Sequence, residues 1–324
     1  MSPVATILGA GVAGLCVAHE LASRGAEIRI IDQAGAPGPH GCSWWAGGML
    51  APYCEGETAP EPVTRLGQAA AVWWRDAGAE VVAQGTLVVA LDRDRRELDL
   101  FARRITGHET LDADQIAGLE PDLGGRFRRA LHVPGEAHLS VRDALKVLQA
   151  ALARRGVEIE TCAPPAPEGI LIDCRGLAAR DRLPGLRGVR GEMALLRAPG
   201  VTLHRPVRLL HPRHPLYIVP RGDGHYMLGA TQIESDGRGP ASLRSVVELL
   251  SAAYALHPGF AEAEVLELGA DARPAFADHL PRIVRQDDRI HVNGLFRHGF
   301  LMAPALARMT ADLILNGTEP ELIA

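Results

Sequence analysis

The chain opens on an apolar run, Val4–Leu8, followed by a glycine-rich turn and by Leu15, Ala18 and Leu21 at helical spacing. Gly25 then acts as a stop before a second apolar run over 28–31. The pattern predicts strand, turn, helix, strand, a βαβ unit. A second helix is predicted after Ser140, which with Asp143 reads as a capping box, with Leu145, Leu148 and Leu152 at helical spacing and Gly156 closing it. Segments 157–159 and 170–172 read as strands, joined by the proline-rich connection 161–168.

The middle of the chain changes character. Segments 85–91, 191–197, 216–221 and 225–231 are short runs rich in β-branched and aromatic residues, parted by glycine and charged turns, which predicts an antiparallel sheet. One helix interrupts them, with Ser242 as N-cap and Leu243, Val246, Val247 and Leu250 on one face. Toward the end, 289–296 reads as a buried strand, and 303–317 as a helix with Pro304 near its first turn and Asn316-Gly317 at its stop. The α/β signal lies at both ends and the β-rich signal between them, so two domains are expected to interleave.

Composition narrows the function. At 324 residues, 47% hydrophobic and 23% charged, the chain is long enough for two domains and is not of a disordered type. A net charge of -5 gives no reason to expect nucleic acid or an anionic membrane as partner. Lys146 is the only lysine, so arginine must do the anion binding. Cys16, Cys42, Cys54, Cys162 and Cys174 show no CxxC spacing, which argues against a metal site or a disulfide framework and for a reducing cytoplasm. The apolar start is broken by glycines and too short to span a bilayer, so neither a targeting segment nor a membrane helix is expected.

The turn "GAGVAG" sets Gly9, Gly11 and Gly14 in GxGxxG spacing between the predicted strand and helix, which serves a tight turn, backbone approach to a pyrophosphate and close helix packing. Asp32, 18 residues after Gly14, stands where a carboxylate accepts from ribose hydroxyls, and disfavours a 2′-phosphate. The fingerprint does not choose between NAD and FAD. In "CSWWAGGMLAP", Gly47 and Gly48 let backbone approach a flat ligand and Ser43 can reach phosphate, although taken alone the segment reads better as a glycine-rich surface loop under a tryptophan pair. In "GLFRHGFLMAPA", Gly299 permits similar approach, and a helix starting near Pro304 would aim its positive end at a reduced flavin.

Together "GGMLAP", "CEGE", "DCRGLAARDRLPGLRGVRGE", "HPRHPLYIVPRGDG", "LGATQIES" and "GLFRHGFLMAPALA" resemble the glycine oxidases of thiamine biosynthesis, within the D-amino-acid oxidase and sarcosine oxidase group. The resemblance runs from Val4 to about Gly317. It implies an α/β fold: a Rossmann-type FAD-binding domain from 1–75, 130–185 and 269–324, interleaved with an α+β domain on a mostly antiparallel sheet from 76–129 and 186–268. It implies noncovalent FAD, held by Gly9, Gly11, Gly14, Asp32, Ser43, Gly47, Gly48, Met49, Gly176, Gly299, Phe300, Leu301 and Met302. The stretch 157–171 is shorter than the resemblance implies.

The same resemblance implies that Arg273 binds a substrate carboxylate, that Tyr217 helps hold it, that Arg297 is a second arginine on the floor, and that Met49 lines the pocket. Each has a plainer alternative: an ion pair of Arg273 with Asp271 or Asp278, core packing for Tyr217 and Met49, a loop pin for Arg297. His214 and His298 are given no proton-transfer role. The implied reaction is deamination of glycine through an imine to glyoxylate and ammonia, with dioxygen reduced to hydrogen peroxide, in support of thiazole synthesis and in a possible homo-oligomer. Oxidation of sarcosine or small D-amino acids, an NAD-dependent dehydrogenase, and a non-catalytic FAD-binding module are the alternatives.

Overall fold

The computed structural model describes residues 4–162, 169–212 and 215–324. Its first sheet runs Arg282–Gln286, Arg289–Asn293, Ile170–Asp173, Val4–Leu8, Glu27–Ile31, Ile159–Glu160. All neighbours are parallel except the first pair, a hairpin. Ala5 and Ile7 on one face of the central strand and Thr6 on the other are all fully buried, as a parallel strand covered on both faces requires. The helix Val12–Ser23 packs against both Val141–Ala153 and Gly299–Asn316. The βαβ unit and the later strands therefore stand as the hydrophobic pattern predicts.

The second sheet takes strands from elsewhere in the chain. Its order is Ile233–Glu234, Arg187–Arg197, His225–Gly229, Leu216–Pro220, Val207–Leu210, Thr86–Ala90, Arg129–Val133, Glu109–Asp112, with Glu264–Ala275 along the other side of Arg187–Arg197. It is antiparallel apart from the pairing of Val207–Leu210 with Thr86–Ala90. Sheet membership reaches past the boundaries expected at 129 and 268, because Arg129–Val133 and all of Glu264–Ala275 belong here. A short ribbon of Met49–Leu50 with Ala137–His138 lies outside both sheets.

Two local expectations need correction. The C-terminal helix starts at Gly299, not near Pro304, and Pro304 lies inside it. Proline has no N–H to give the carbonyl four residues back. That carbonyl, of Phe300, instead accepts from the Trp74 indole at 2.8 Å, and the two rings stack. The capping box at Ser140 does not form: its hydroxyl donates to the Asp143 carboxylate at 2.6 Å, and no side chain caps the helix. Ser242 does cap Leu243–Leu256, accepting from Ser245 N. That helix buries Ser245, Leu249, Ala253 and Leu256, however, so the face carrying Leu243 and Val247 points outward.

Candidate active site

The glycine turn is built by close approaches. Gly9 has φ +98°, and a Cβ there would lie 2.7 Å from the Cys174 carbonyl oxygen. At Gly14 a Cβ would fall 1.9 Å from the Gly9 carbonyl oxygen, so the helix can sit on the turn only without it. Gly11 caps the first helix and brings no side-chain acceptor. Ser43 supplies one from another segment, its Oγ accepting from Val12 N at 3.1 Å. Asp32 accepts from Ala10 N at 2.7 Å and from Ala34 N at 2.9 Å, which ties the turn to the end of the second strand.

From this turn a cleft of about 850 Å³ runs between the two sheets. It is lined by Asp32 and Thr161, by Gly11, Ser43 and Gly176, and by Gly47, Gly48, Met49, Tyr217, Arg273, Arg297, Gly299, Phe300 and Leu301. The structure thus brings together the site residues expected from sequence, with two exceptions: Gly14 packs against the Gly9 carbonyl behind the turn, and Met302 also stays off the cleft wall. Met302 is fully buried in the core and does not line the cleft, because the helical turn begun at Gly299 carries it inward. His214 lies outside the described residues, as do 163–168 of the proline-rich connection.

The wall that carries Arg273 and Tyr217 rests on glycines within strands. Gly191 carries the Arg273 guanidinium: a Cβ there would be 1.9 Å from Nη2. On the same face Met193, Gly229 and Tyr217 form one row across three strands. The missing side chain of Gly229 lets Tyr217 reach over it and donate to Met193 Sδ at 3.6 Å, and Gly269 makes similar room for Trp45. Tyr217 also packs on Gly47, where a Cβ would lie 2.5 Å from its ring. Arg221, read in the sequence only as part of a motif, holds the glycine loop by donating to the Gly47 carbonyl at 2.7 Å and the Leu139 carbonyl at 3.0 Å. Burial pulls its guanidinium down to about 10.

Charge is distributed unevenly around that wall. Asp271 pairs with Arg238 at 2.6 Å and Asp278 with Arg282, so neither carboxylate forms an ion pair with Arg273, and Asp271 supports its charge only through space. Burial first, then Arg297, draw the Arg273 pKa down, yet a guanidinium remains charged in a protein. Burial likewise pushes the Tyr217 phenol up, against the pull of Arg273 and Arg208. Arg297 is pinned: Nε lies 2.8 Å from Glu55 Oε2, and Nη2 donates to Thr58 Oγ1 at 2.6 Å. Burial raises the Glu55 carboxyl, but Arg297, Arg208 and His298 outweigh it and hold it well below the usual range. Glu55 and Arg208 were not singled out in the sequence, because a carboxylate in "CEGE" declares no partner until the fold supplies it.

A family model described as FAD dependent oxidoreductase matches residues 5–313. The chain belongs to that family. It is 54% identical over 312 residues to the Rhizobium etli protein that carries the name thiamine biosynthesis oxidoreductase ThiO, with 95% of each chain covered. It is 28% identical to a glycine oxidase of Pseudomonas aeruginosa, covering 99% of this chain and 96% of that one. The fold matches the crystal structure of glycine oxidase from Geobacillus kaustophilus with a TM-score of 0.81 at 23% identity, covering 99% and 97%.

The cleft fits the flavin dinucleotide that this FAD-dependent oxidoreductase family takes. An acidic strand end stands where a ribose belongs, and a side-chain-free turn at a helix N-terminus stands where a pyrophosphate belongs. Gly47 and Gly48 line the cleft with backbone, their side-chain positions taken by Tyr217 and the Leu139 carbonyl, and the N-terminus of Gly299–Asn316 opens on the same space with its first N–H groups unpaired within the helix. Among the described residues no cluster of ligating side chains suits a metal, and no helix is long and apolar enough to cross a membrane.

Proposed function

We propose that the chain is an FAD-dependent oxidase that deaminates glycine and supplies the product to thiamine thiazole synthesis. One observation carries the reading: a desolvated arginine without a carboxylate partner, Arg273, lines the same cleft as the glycine loop at Gly47 and Gly48. The 54% identity to the Rhizobium etli protein supports the pathway assignment.

When bound, FAD supplies the redox chemistry, taking two electrons from glycine and passing them to dioxygen, which leaves as hydrogen peroxide. The protein's own contribution is alignment. Arg273 forks onto the substrate carboxylate with two charge-assisted hydrogen bonds, and Tyr217, across Gly229, offers its hydroxyl beside it. Arg297, fixed by Glu55 and Thr58, adds positive potential to the same wall, and Met49 closes the side formed by the short ribbon. Glycine loses one C–H and one N–H hydrogen to become an imine, which water hydrolyses to glyoxylate and ammonia. No side-chain base is needed when the amine arrives neutral; His298 is buried, its Nδ1 3.3 Å from Glu55. We place the enzyme in the cytoplasm on its five free thiols.

The test is spectroscopic. Purified protein should be yellow, its flavin bands should bleach on anaerobic glycine, and admitting air should release peroxide. A colourless protein, or a yellow one indifferent to glycine, sarcosine and D-alanine alike, overturns the proposal; specificity constants for the three rank the substrates.

A further inference from the structure

The residues that aim Arg273 lie mostly on the far side of its sheet. The guanidinium donates from Nη1 to the Thr231 carbonyl at 3.3 Å, an acceptor without charge. Thr231 is itself fixed by Glu192 in three ways. Glu192 N donates to Thr231 Oγ1 at 2.9 Å, that hydroxyl donates back to Glu192 Oε2 at 3.2 Å, and Thr231 N donates to the Glu192 carbonyl at 3.4 Å. Glu192 is fully buried, pairs with Arg190 at 2.9 Å, and accepts from Ser242 N at 2.9 Å. Its neighbour in the strand, Gly191, points to the opposite face and underlies Arg273.

We propose that Thr231 and Glu192 are positioning residues for binding of the substrate carboxylate. Thr231 directs its carbonyl at Arg273, and Glu192 fixes the direction. A carboxylate in that place would neutralise the guanidinium, whereas a carbonyl holds it and leaves its whole charge to the substrate. The Glu192 charge is already met by Arg190, so the support adds no net field at the site. This inference rests on the reading of Arg273 as the clamp.

The experiment uses the FAD-loaded enzyme and acetate as probe, titrated against the flavin spectrum, alongside the KM and kcat for glycine. Thr231→Val removes the hydroxyl and keeps the carbonyl. With both hydroxyl bonds to Glu192 gone, it should weaken acetate binding and raise the glycine KM by the same factor, about three- to tenfold for loosening the single Thr231 carbonyl bond to Arg273, with kcat and FAD content unchanged, and Thr231→Ser should restore both. Should the valine variant not retain FAD, Glu192→Gln is read in the same way, with the same direction of change. Unaltered acetate affinity and KM in a variant of an enzyme that oxidises glycine overturn this proposal alone. A wild-type enzyme that neither responds to acetate nor bleaches with glycine overturns the reading beneath it.

Discussion

The Arg273 guanidinium lies over Gly191, two strand positions from its own cross-strand partner Val189, and occupies the space that a side chain at Gly191 would need. Glycine inside a strand weakens packing, and close approach by another group is the usual compensation. Gly191→Ala should therefore displace the guanidinium while the sheet survives. We expect the glycine KM to rise on the order of tenfold with FAD content intact, measured by peroxide release beside flavin absorbance. An unchanged KM would mean that Arg273 does not bind substrate from this position.

Arg273→Ala removes the clamp itself. Each charge-assisted hydrogen bond contributes about 1.5 to 3 kcal/mol, so kcat/KM for glycine should fall by roughly a hundredfold or more. Oxidation of a small amine lacking a carboxylate should hardly change. Equal losses for both substrates would refute the assignment. Arg273→Lys should recover little, because a point charge cannot fork.

Cofactor retention depends on a different contact. With a Cβ 1.9 Å from the Gly9 carbonyl oxygen, Gly14→Ala must push the first helix off the glycine turn. The expected product is colourless protein, and the ratio of flavin to protein absorbance reports it. Full retention of FAD by that variant would remove the pyrophosphate from this turn.

How much of this could be read in the sequence differs by element. The first βαβ unit stands where pattern and spacing put it, because it is built from neighbours close in the chain, whereas the bonds of Ser43 to Val12 N and of Asp32 to Ala10 N join segments that only the fold brings together. The start of the last helix was misplaced at Pro304, since proline usually marks a first turn; only the fold brings Trp74 to the carbonyl that Pro304 leaves without a donor. The helix Leu243–Leu256 shows the limit of periodicity, which places Leu243 and Val247 on one face but does not say which side the sheet covers. Gly191, Gly229 and Gly269 carried no signal beyond being glycines in strands, and their meaning lies in Arg273, Tyr217 and Trp45, which arrive from distant segments.

The Trp74 contact yields a stability prediction. Its side chain is fully buried, and its indole is the donor to the Phe300 carbonyl. Trp74→Phe keeps much of the stacking on Phe300 and leaves that carbonyl unpaired, which costs about 1 to 3 kcal/mol. Urea unfolding of the FAD-loaded protein should show a lower midpoint with an unaltered slope. No shift in the midpoint would mean that water replaces the indole.

Acid sensitivity follows from His138, whose backbone pairs with Met49 in the ribbon beside the cleft. Burial first, and Arg221 second, draw its imidazole from 6.5 down to about 4, and its Nδ1 is buried without a hydrogen-bond partner. In the unfolded chain the ring titrates near 6.5, so between pH 6.5 and about 4 the unfolded state binds more protons and stability falls as pH falls. Below about 4 both states are charged and this loss is complete, at about 3 kcal/mol for one group. His138→Gln removes the titration, so its stability should vary less with pH across that window than the wild type's. Parallel pH profiles of the two proteins would show that the acid response arises elsewhere, and that protonation of His138 does not strain the strand carrying Met49.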